Sequence, residues 1–291
     1  MTKKKKMVVF SNSERDIDFN MAQRVTGLLQ SKGRETVLCP MLTGNEVADV
    51  WAPDFDASIL EKELPFAEMI ITLGGDGTIL RAARAAAGFG IPILGVNMGG
   101  KGFMAELEAE EIDLLSTVAD GKYKTESRMM LDAAVIRNGE TLCRNFALND
   151  IVIKGDNKVI DLMLFGDEQR ITRFSGDGAV VSTPTGSTAY SMAAGGPIVE
   201  PSAHNIIITP ICAHVLEAKS FVLVSYRRVT VEIGHKKHNP AYMSVDGGEH
   251  VSIQGGDIIS VQKSKMSTRL VHITGRGFYQ KVSEKLGERL L

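Results

Sequence analysis

The chain has 291 residues, of which 44% are apolar, and a formal net charge of −2. This apolar content excludes an intrinsically disordered protein, and the small net charge provides no overall field to attract nucleic acid or an anionic membrane. The 29 glycines exceed the roughly 7% of an average protein and follow no collagen period. We therefore expect glycine-rich loops in a folded protein of two domains.

The cysteines, histidines and first residues favour a cytoplasmic protein without a structural metal site. The three cysteines are odd in number and far apart, which predicts neither a disulfide framework nor a thiolate zinc site. His235 and His238 flank two lysines, as in a solvated loop. The lysines at 3–6 precede too short an apolar run for a signal peptide, and no run is long enough to cross a membrane.

The first 122 residues alternate strand and helix signals. Short apolar runs predict strands, and apolar residues at helical spacing predict helices. The strands are expected at Met7–Phe10, Thr36–Cys39, Glu68–Leu73 and Ile91–Val96, and the helices at 15–31, Ile79–Ala87 and Glu108–Ala119. This alternation predicts an α/β N-terminal domain, with a parallel sheet and flanking helices.

Residues 123–273 consist mainly of short strand signals separated by turn residues, which predicts an all-β sandwich as the C-terminal domain. The strands are expected at Met130–Arg137, Phe146–Lys154, Val159–Phe165, Ala179–Ser182, Ile206–Ile211, Phe221–Ser225, Val229–Ile233, His250–Ile253 and Leu270–Ile273. Helices are expected at Ser187–Ala194 and Phe278–Leu290. The predicted domains are therefore 1–122 and 123–273, followed by a C-terminal helical segment, 274–291.

A glycine-rich stretch, Gly74 to Thr78, comes between a predicted buried strand and a helix. Ligands bind at this position in an open parallel sheet. We expect Gly74, Gly75 and Gly77 to permit positive φ, so that free N–H groups approach phosphate oxygens. Because a carboxylate repels phosphate, Asp76 suggests a general base or a metal-linked group beside the phosphates. A tight turn capped by Asp76 is the structural alternative.

A second loop, Gly95 to Phe103, also follows a predicted strand and contains three further glycines. We expect it to approach a ligand or the first loop, with a flexible connection as the alternative. Lys101 in this loop is a candidate to neutralise phosphate.

In the β-rich half, Asn149 and Asp150 interrupt a strongly apolar strand. Adjacent strand residues point to opposite faces, so both reach one ligand only at a strand end or bulge. Their donors and acceptors suit sugar hydroxyls and a base edge; a plain β-bulge or turn is the alternative.

The longest unusual stretch runs from Gly176 to Pro197. An apolar strand opens into small polar residues and then a helix that Ser187 or Thr188 is expected to cap. Hydroxyls and free N–H groups concentrated at a helix start indicate a ligand site more than packing.

These stretches together resemble the NAD kinase family over residues 70–250. Gly74 to Thr78 matches its GGDGT motif, and Asn149-Asp150 matches its NE/ND motif. Residues 182–197 resemble its STPTGSTAYxxxAGGP signature, and Asp246-Gly247 its later DG turn. Lipid kinases and phosphofructokinases carry relatives of GGDGT, whereas the long signature is specific to NAD kinases.

The resemblance implies transfer of the γ-phosphoryl group of ATP to the 2′-hydroxyl of the adenosine ribose of NAD, giving NADP. Asp76 is then the general base, while Mg²⁺ or another divalent cation bridges the phosphates of ATP, or of polyphosphate as an alternative donor. The family's nucleotide-binding positions correspond here to Gly74, Gly75, Gly77, Thr78, Phe103, Asn149, Asp150, Asp177, Thr185, Ser187, Thr188, Ala189, Tyr190 and Asp246.

The resemblance also distributes these positions over the substrate. Asn149 and Asp150 hold the adenosine ribose and adenine, and residues 188–190 line the adenine pocket. Asp177 and Asp246 lie near the nicotinamide half, with a location across a subunit interface as one option. The family implies a homo-oligomer, a dimer or tetramer, with its site in the crevice between the two domains and its last helix packed on the first domain.

Two departures from the family and two rival functions stay open. Met98, Gly100 and Lys101 replace the Thr, His and Leu of the family's GVNTGHLGF loop. Ser175 stands where many NAD-specific members have Arg, so we expect some NADH kinase activity.

A lipid kinase is less favoured, because no strongly basic amphipathic helix is present. A catalytically silent NAD-binding sensor is the second rival. It is less favoured because the negative charge of Asp76 would weaken phosphate binding and give a sensor no benefit.

Overall fold

The structure, a computed structural model, describes residues 5–41, 58–100, 102–214, 219–234 and 240–287. It divides the chain into two compact units. Unit 1 comprises Met1–Arg128 and Thr268–Leu291, and unit 2 comprises Met129–Ser267. These divisions fall slightly inside the predicted β-rich segment, 123–273, at both of its ends.

Unit 1 is an α/β unit. Its strands are β1 (Lys6–Asn12), β2 (Thr36–Met41), β3 (Ala67–Gly74), β4 (Pro92–Asn97) and β5 (Leu107–Glu108). Its helices are α1 (Asn20–Ser31), α2 (Ser58–Glu63), α3 (Asp76–Ala86) and α4 (Leu115–Ala119), with 3-10 turns at Ile17–Phe19, Leu64–Phe66 and Ala109–Leu114. The expected α/β domain is confirmed.

The sheet of unit 1 has the strand order β2-β1-β3-β4, and all these neighbours are parallel. Leu73 of β3 pairs with Ser11 of β1, and Gly74 pairs with Asn97 of β4. The carboxyl ends of β1, β3 and β4 therefore meet at one edge of the sheet, which is where open α/β sheets bind ligands.

Two expected helices of unit 1 differ in the structure. The helix expected over 15–31 begins at Asn20, because the buried Asp16 carboxylate accepts the N–H groups of Met21 and Ala22 at 2.8 and 2.9 Å. Residues 109–114 form a 3-10 helix before the short α4. Ile112 is the buried residue of the 3-10 helix, and Leu115 and Val118 are the buried residues of α4.

Unit 2 is a sandwich of antiparallel strands. They are β6 (Lys124–Arg137), β7 (Glu140–Ala147), β8 (Asp150–Gly155), β9 (Ile160–Gly166), β10 (Gln169–Gly176), β11 (Gly178–Ser182), β12 (Asn205–Ile211), β13 (Phe221–Val224), β14 (Val229–Ile233), β15 (Ala241–Val245), β16 (Val251–Ile253) and β17 (Ile258–His272). One sheet has the order β13-β12-β11-β8-β15-β16, and the other joins β10-β9-β14-β17 to β6 and β7. Buried residues from both sheets share one core, so the expected sandwich is confirmed.

Several strands of unit 2 were not anticipated. The strand expected over Phe146–Lys154 is two strands, because the chain turns between β7 and β8 at residues 148–149. Strands β10 and β15 were not predicted, nor were residues 140–145 of β7 and residues 258–269 of β17. Exposed residues dominate the start of β10, and in such strands the pairing partner decides the conformation more than local propensity does.

The chain returns to unit 1 at the end of β17. Leu270 pairs in parallel with Ile93 of β4, and α6 (Phe278–Gly287) follows. The rest of the expected helix, 288–290, lies outside the described residues, as do His235 and His238. Within the described part of the chain, no helix is long and apolar enough to span a membrane.

Candidate active site

The glycine-rich loop of unit 1 connects β3 to α3 at the ligand edge of the sheet. Gly74 ends β3, Gly75 is the N-cap of α3, and Asp76 is its first residue. None of Gly74, Gly75 and Gly77 has a positive φ, so that part of the expectation is wrong. Gly74 is needed for a different reason, since a Cβ there would overlap the Thr78 hydroxyl.

The Asp76 carboxylate holds the second glycine-rich loop. Its Oδ2 accepts the backbone N–H of Phe103 at 2.8 Å, and its Oδ1 accepts that of Met104 at 3.2 Å. A Cβ on Gly102 would lie 2.7 Å from Asp76 Oδ1, so this approach requires glycine. Asp76 does not cap α3, which removes the capped-turn alternative. The two loops predicted separately from the sequence are therefore joined through Asp76 and Phe103.

The surroundings of Asp76 influence its protonation in two directions. Burial raises the pKa of this carboxyl, and this is the largest effect. The N–H groups of Phe103 and Met104 and the ammonium groups of Lys281 and Lys285 act in the opposite direction. A carboxylate is a better proton acceptor when its pKa is raised towards the working pH.

Asn97, at the end of β4, belongs to the same edge and was not singled out from the sequence. Its Nδ2 donates to the Gly100 carbonyl at 3.0 Å and to Glu108 at 2.6 Å. Its Oδ1 is buried without a hydrogen-bond partner among the described residues. The sequence signal that could have identified Asn97 is its position as a polar residue at the end of an apolar strand. Gly99 and Gly100 have positive φ, and Lys101 lies outside the described residues.

In unit 2, the Asp246 carboxylate clamps the turn between β7 and β8. Oδ2 accepts the N–H of Leu148 at 2.8 Å, while Oδ1 accepts those of Asn149 at 2.7 Å and Asp150 at 3.0 Å. The DG turn and the Asn-Asp motif, distant in sequence, are thus brought into direct contact. A location of Asp246 near the nicotinamide half remains a prediction.

Asn149 and Asp150 present buried acceptors. They are 8% and 5% exposed, and Asn149 Oδ1 has no hydrogen-bond partner in the part of unit 2 that is described. Ser182, whose strand pairs it with Asp150, likewise has a buried hydroxyl without a partner there. Burial and the neighbouring Asp246 charge raise the pKa of Asp150 to about 7. Because unsatisfied buried polar atoms are costly, this turn is suited to a polar ligand.

The long signature packs directly against this turn. Thr183 donates its N–H to the Asn149 carbonyl at 2.8 Å and its hydroxyl to the Leu148 carbonyl at 2.6 Å. Its hydroxyl oxygen also accepts the Gly186 N–H at 3.0 Å. A Cβ on Gly186 would overlap the Asn149 carbonyl oxygen. The signature and the Asn-Asp motif therefore form one cluster within unit 2.

The hydroxyls of the signature do not cap a helix, contrary to the expectation. Residues Thr185–Thr188 form a 3-10 turn before α5 (Tyr190–Ala193). Ser187 Oγ donates to the Pro184 carbonyl at 2.7 Å and accepts the Val199 N–H at 3.0 Å, while Thr188 donates to the Thr185 carbonyl at 3.2 Å. The α-helix begins only at Tyr190. The hydroxyls of Ser187 and Thr188 therefore hydrogen-bond backbone groups of the turn and of Val199 and leave the helix start uncapped.

Ala189 and Tyr190 follow this turn at the start of α5. Tyr190 packs with Val152, Val180 and Ile211 on one face of the sheet. These three residues are buried, so the half-buried Tyr190 ring is the part of the cluster that can contact the flat face of another ring.

Asp177 lies apart from the Asn-Asp cluster. It precedes β11, and Ser182 at the other end of this five-residue strand leads into the signature. At about 3.3 Å per residue, the strand separates the two ends by roughly 15 Å. Ser175, close to Asp177 in the chain, hydrogen-bonds the Asp161 carboxylate.

Asp150 is expected to make the protein less stable as the pH rises. Its folded pKa of about 7 exceeds the unfolded value of about 3.9. The folded state therefore binds the proton more tightly, and this contribution to stability is lost between about pH 4 and about pH 7. Asp150→Asn should raise the Tm above that of wild type by several degrees at neutral pH and much less at acidic pH, measured by thermal unfolding. An equal effect at both pH values would contradict a protonated Asp150.

The comparisons with known proteins agree on one family. The model of the ATP-NAD kinase N-terminal domain matches residues 4–123, and that of the C-terminal domain matches residues 148–273. The NAD kinase of Ruminiclostridium cellulolyticum is 35% identical over 98% of this chain and 99% of its own. That of Natranaerobius thermophilus is 43% identical over 76% of this chain and 78% of its own.

Two solved structures share the fold. Yeast NADH kinase complexed with NADH has a TM-score of 0.81 at 24% identity, covering 98% of this chain and 88% of its own. An NAD kinase from Archaeoglobus fulgidus in complex with ATP has a TM-score of 0.75 at 24% identity, covering 97% and 98%. With both domain models matched and relatives similar over nearly the whole chain, this protein belongs to the NAD kinase family.

Proposed function

We propose that this chain transfers the γ-phosphoryl group of ATP to the 2′-hydroxyl of the adenosine ribose of NAD, producing NADP. The observation that carries the proposal is the Asp76 carboxylate, held by two backbone N–H groups at the start of α3. A pure phosphate-binding loop has no use for this negative charge, whereas a reaction that removes a proton from a hydroxyl does.

Unit 1 contributes the phosphate and proton chemistry in this proposal. Free N–H groups at the start of α3 bind phosphate oxygens. A carboxylate has about four lone-pair sites, so Asp76 can accept the 2′-hydroxyl proton while keeping Phe103 and Met104. The hydroxyl oxygen bonds to the γ-phosphorus, the bond to the bridging oxygen breaks, and ADP leaves. A divalent cation enters with the donor's phosphates as part of the substrate; polyphosphate is the alternative donor.

Unit 2 contributes recognition of the dinucleotide. Asn149 and Asp150 supply the acceptors for the ribose hydroxyls and adenine, and residues 188–190 line the adenine pocket. Thr185 and Ser187 shape the turn that precedes α5, and Asp177 is assigned to the nicotinamide half. The family resemblance also supports a homo-oligomer, which light scattering of the purified chain would test.

A coupled ADP-release assay tests the proposed function against its rivals. We expect ADP release with NAD as acceptor and none with diacylglycerol, and the product should serve an NADP-specific dehydrogenase. ADP release only with diacylglycerol would indicate a lipid kinase. Tight NAD binding without turnover on either acceptor would indicate a sensor.

Ser175 is expected to leave the enzyme with some activity on NADH. Its hydroxyl binds Asp161, so no cationic group stands at this position, where many NAD-specific relatives have Arg. We expect the ratio of kcat/KM on NAD to that on NADH to stay below about 10³, which corresponds to about 4 kcal/mol. The measurement is initial rates with both acceptors at equal ATP, and a larger ratio would refute this role for Ser175.

A further inference from the structure

The loop that binds Asp76 is held at its far end by Glu106. The N–H groups of Phe103 and Met104 donate to the Asp76 carboxylate, and only Ala105 separates Met104 from Glu106 in the chain. The Glu106 N–H donates to a carbonyl of β4, that of residue 95, at 2.9 Å. Residues 103–106 therefore connect the proposed base to the sheet of unit 1.

The Glu106 side chain is buried and accepts hydrogen bonds from the C-terminal segment of unit 1. It is 1% exposed. Its Oε1 accepts the N–H groups of Ile273 and Thr274 at 2.8 and 2.7 Å and the Thr274 hydroxyl at 2.7 Å. Its Oε2 lies 2.9 Å from His272 Nδ1 and 3.4 Å from Lys281 Nζ. Both carboxylate oxygens are thus occupied by groups from the other end of the chain.

The same segment also holds the residue between Glu106 and the donors to Asp76. Lys281 Nζ donates to the Ala105 carbonyl at 2.9 Å, and the lysine side chain is 13% exposed. Ala105 lies close to β4, since a Cβ on Gly95 would be 3.1 Å from the Ala105 Cα. The chain is therefore fixed by side-chain and backbone contacts immediately after the two N–H groups that bind Asp76.

This arrangement is better suited to holding a geometry than to adding stability. A buried ionic network generally adds little to the free energy of unfolding over an apolar core of the same volume, whereas hydrogen bonds to a charged acceptor are strong and directional. A displacement of about 1 Å at a reacting group costs roughly 10²-fold in rate. The Glu106 carboxylate opposes such a displacement of the loop that binds Asp76.

We propose that Glu106 is a positioning residue for phosphoryl transfer, which fixes the loop that orients the Asp76 carboxylate towards the 2′-hydroxyl. Glu106 touches no reacting atom and acts through the N–H groups of Phe103 and Met104 on Asp76. The inference rests on the proposed function. It gives the C-terminal segment a part in the reaction, because that segment supplies the donors to Glu106.

The test is a double-mutant cycle between Glu106→Gln and Asp76→Asn, measured in kcat. The amide has the shape of the carboxylate, but only one of its two terminal atoms accepts hydrogen bonds, so part of the donor set is left without an acceptor. With Asp76 present, we expect Glu106→Gln to lower kcat about tenfold and to change KM for NAD less than about threefold. In the Asp76→Asn background no base remains to be positioned, so the same substitution should change the residual kcat less than about twofold.

Two further variants support this cycle. Glu110→Gln is the matched control, because it removes one negative charge from an exposed glutamate of the 3-10 helix that follows, and its kcat should equal that of wild type. Thr274→Val removes one donor to Glu106 Oε1 and retains the carboxylate, so it decides the test if Glu106→Gln does not fold. We expect it to lower kcat about threefold with Asp76 present and less than about twofold in the Asp76→Asn background.

An equal fall of kcat in both backgrounds would overturn the inference, because Glu106 would then only hold unit 1 together. A kcat equal to that of wild type in folded Glu106→Gln would overturn it as well. Either result leaves the proposed function intact. A wild-type chain that does not phosphorylate NAD would refute the proposed function and this inference with it.

Discussion

Asp76→Asn is expected to lower kcat by about 10²- to 10⁴-fold, the usual contribution of a general base, while KM for NAD changes far less. The amide is as large as the carboxylate but does not accept the 2′-hydroxyl proton. Because Asp76 is assigned to the reacting hydroxyl rather than to adenosine recognition, its loss should affect the transition state more than substrate binding. Steady-state kinetics with NAD and ATP varied separately measure the two parameters.

Two further variants separate chemistry from loop positioning. Asp76→Ala also removes both acceptors for Phe103 and Met104, so it should lower kcat at least as far and loosen the loop, which limited proteolysis detects. Asp120→Asn changes an aspartate of unit 1 whose side chain is 47% exposed and should leave kcat unchanged. Near-normal kcat in Asp76→Ala would disprove the assignment of the base.

Asp246→Ala is expected to destabilise unit 2 by about 3 kcal/mol or more and to raise KM for NAD. Three backbone N–H groups, those of residues 148–150, lose their charged acceptor, and each unsatisfied buried donor costs about 1–3 kcal/mol. Relief of the repulsion with Asp150 offsets part of this loss. Urea unfolding gives the stability change, and initial rates give KM.

Asp246→Asn should fall between wild type and Asp246→Ala. Its carbonyl oxygen can still accept the N–H groups of Asn149 and Asp150, but its amide nitrogen faces the Leu148 donor. If Asp246→Ala had the same stability to urea as wild type and only its KM for NAD were raised, a stabilising role of Asp246 in the turn would be refuted. The family-based location of Asp246 near the nicotinamide half would then be favoured.

The fold class was predictable because the chain shows clear patterns for both kinds of element, namely short apolar runs for strands and apolar residues at helical spacing for helices. The fully buried strands of unit 1 read as continuous apolar runs, as parallel strands covered on both faces do. Helix starts were less predictable, because a single carboxylate can decide them. The Asp16 carboxylate shifts the start of α1 to Asn20 in this way. The spacing of apolar residues, from which the helix was predicted, carries no information about that hydrogen bond.

The motifs of the site were predictable, but the groups that position them were not. Asp76 stood out as a charge within a glycine-rich loop, whereas its partners Phe103 and Met104 contribute only backbone N–H groups, which every residue but proline has. Glu106 and Lys281 read as ordinary helix and loop residues in the sequence. Lys281 Nζ lies 3.4 Å from Glu106 Oε2 although 175 residues separate them, and no local pattern encodes such a contact.

The split of unit 1 into Met1–Arg128 and Thr268–Leu291 has a consequence for biosynthesis. The partner of Ile93 on β4 is Leu270, so the first residues of β4 gain their β17 neighbour only after Leu270 has been translated. Residues 129–267, the continuous unit 2, are translated between the two segments of unit 1. Residues 1–128 therefore do not complete unit 1: a nascent chain that has not yet reached Leu270 has the glycine-rich loop before α3 but lacks this strand partner and α6.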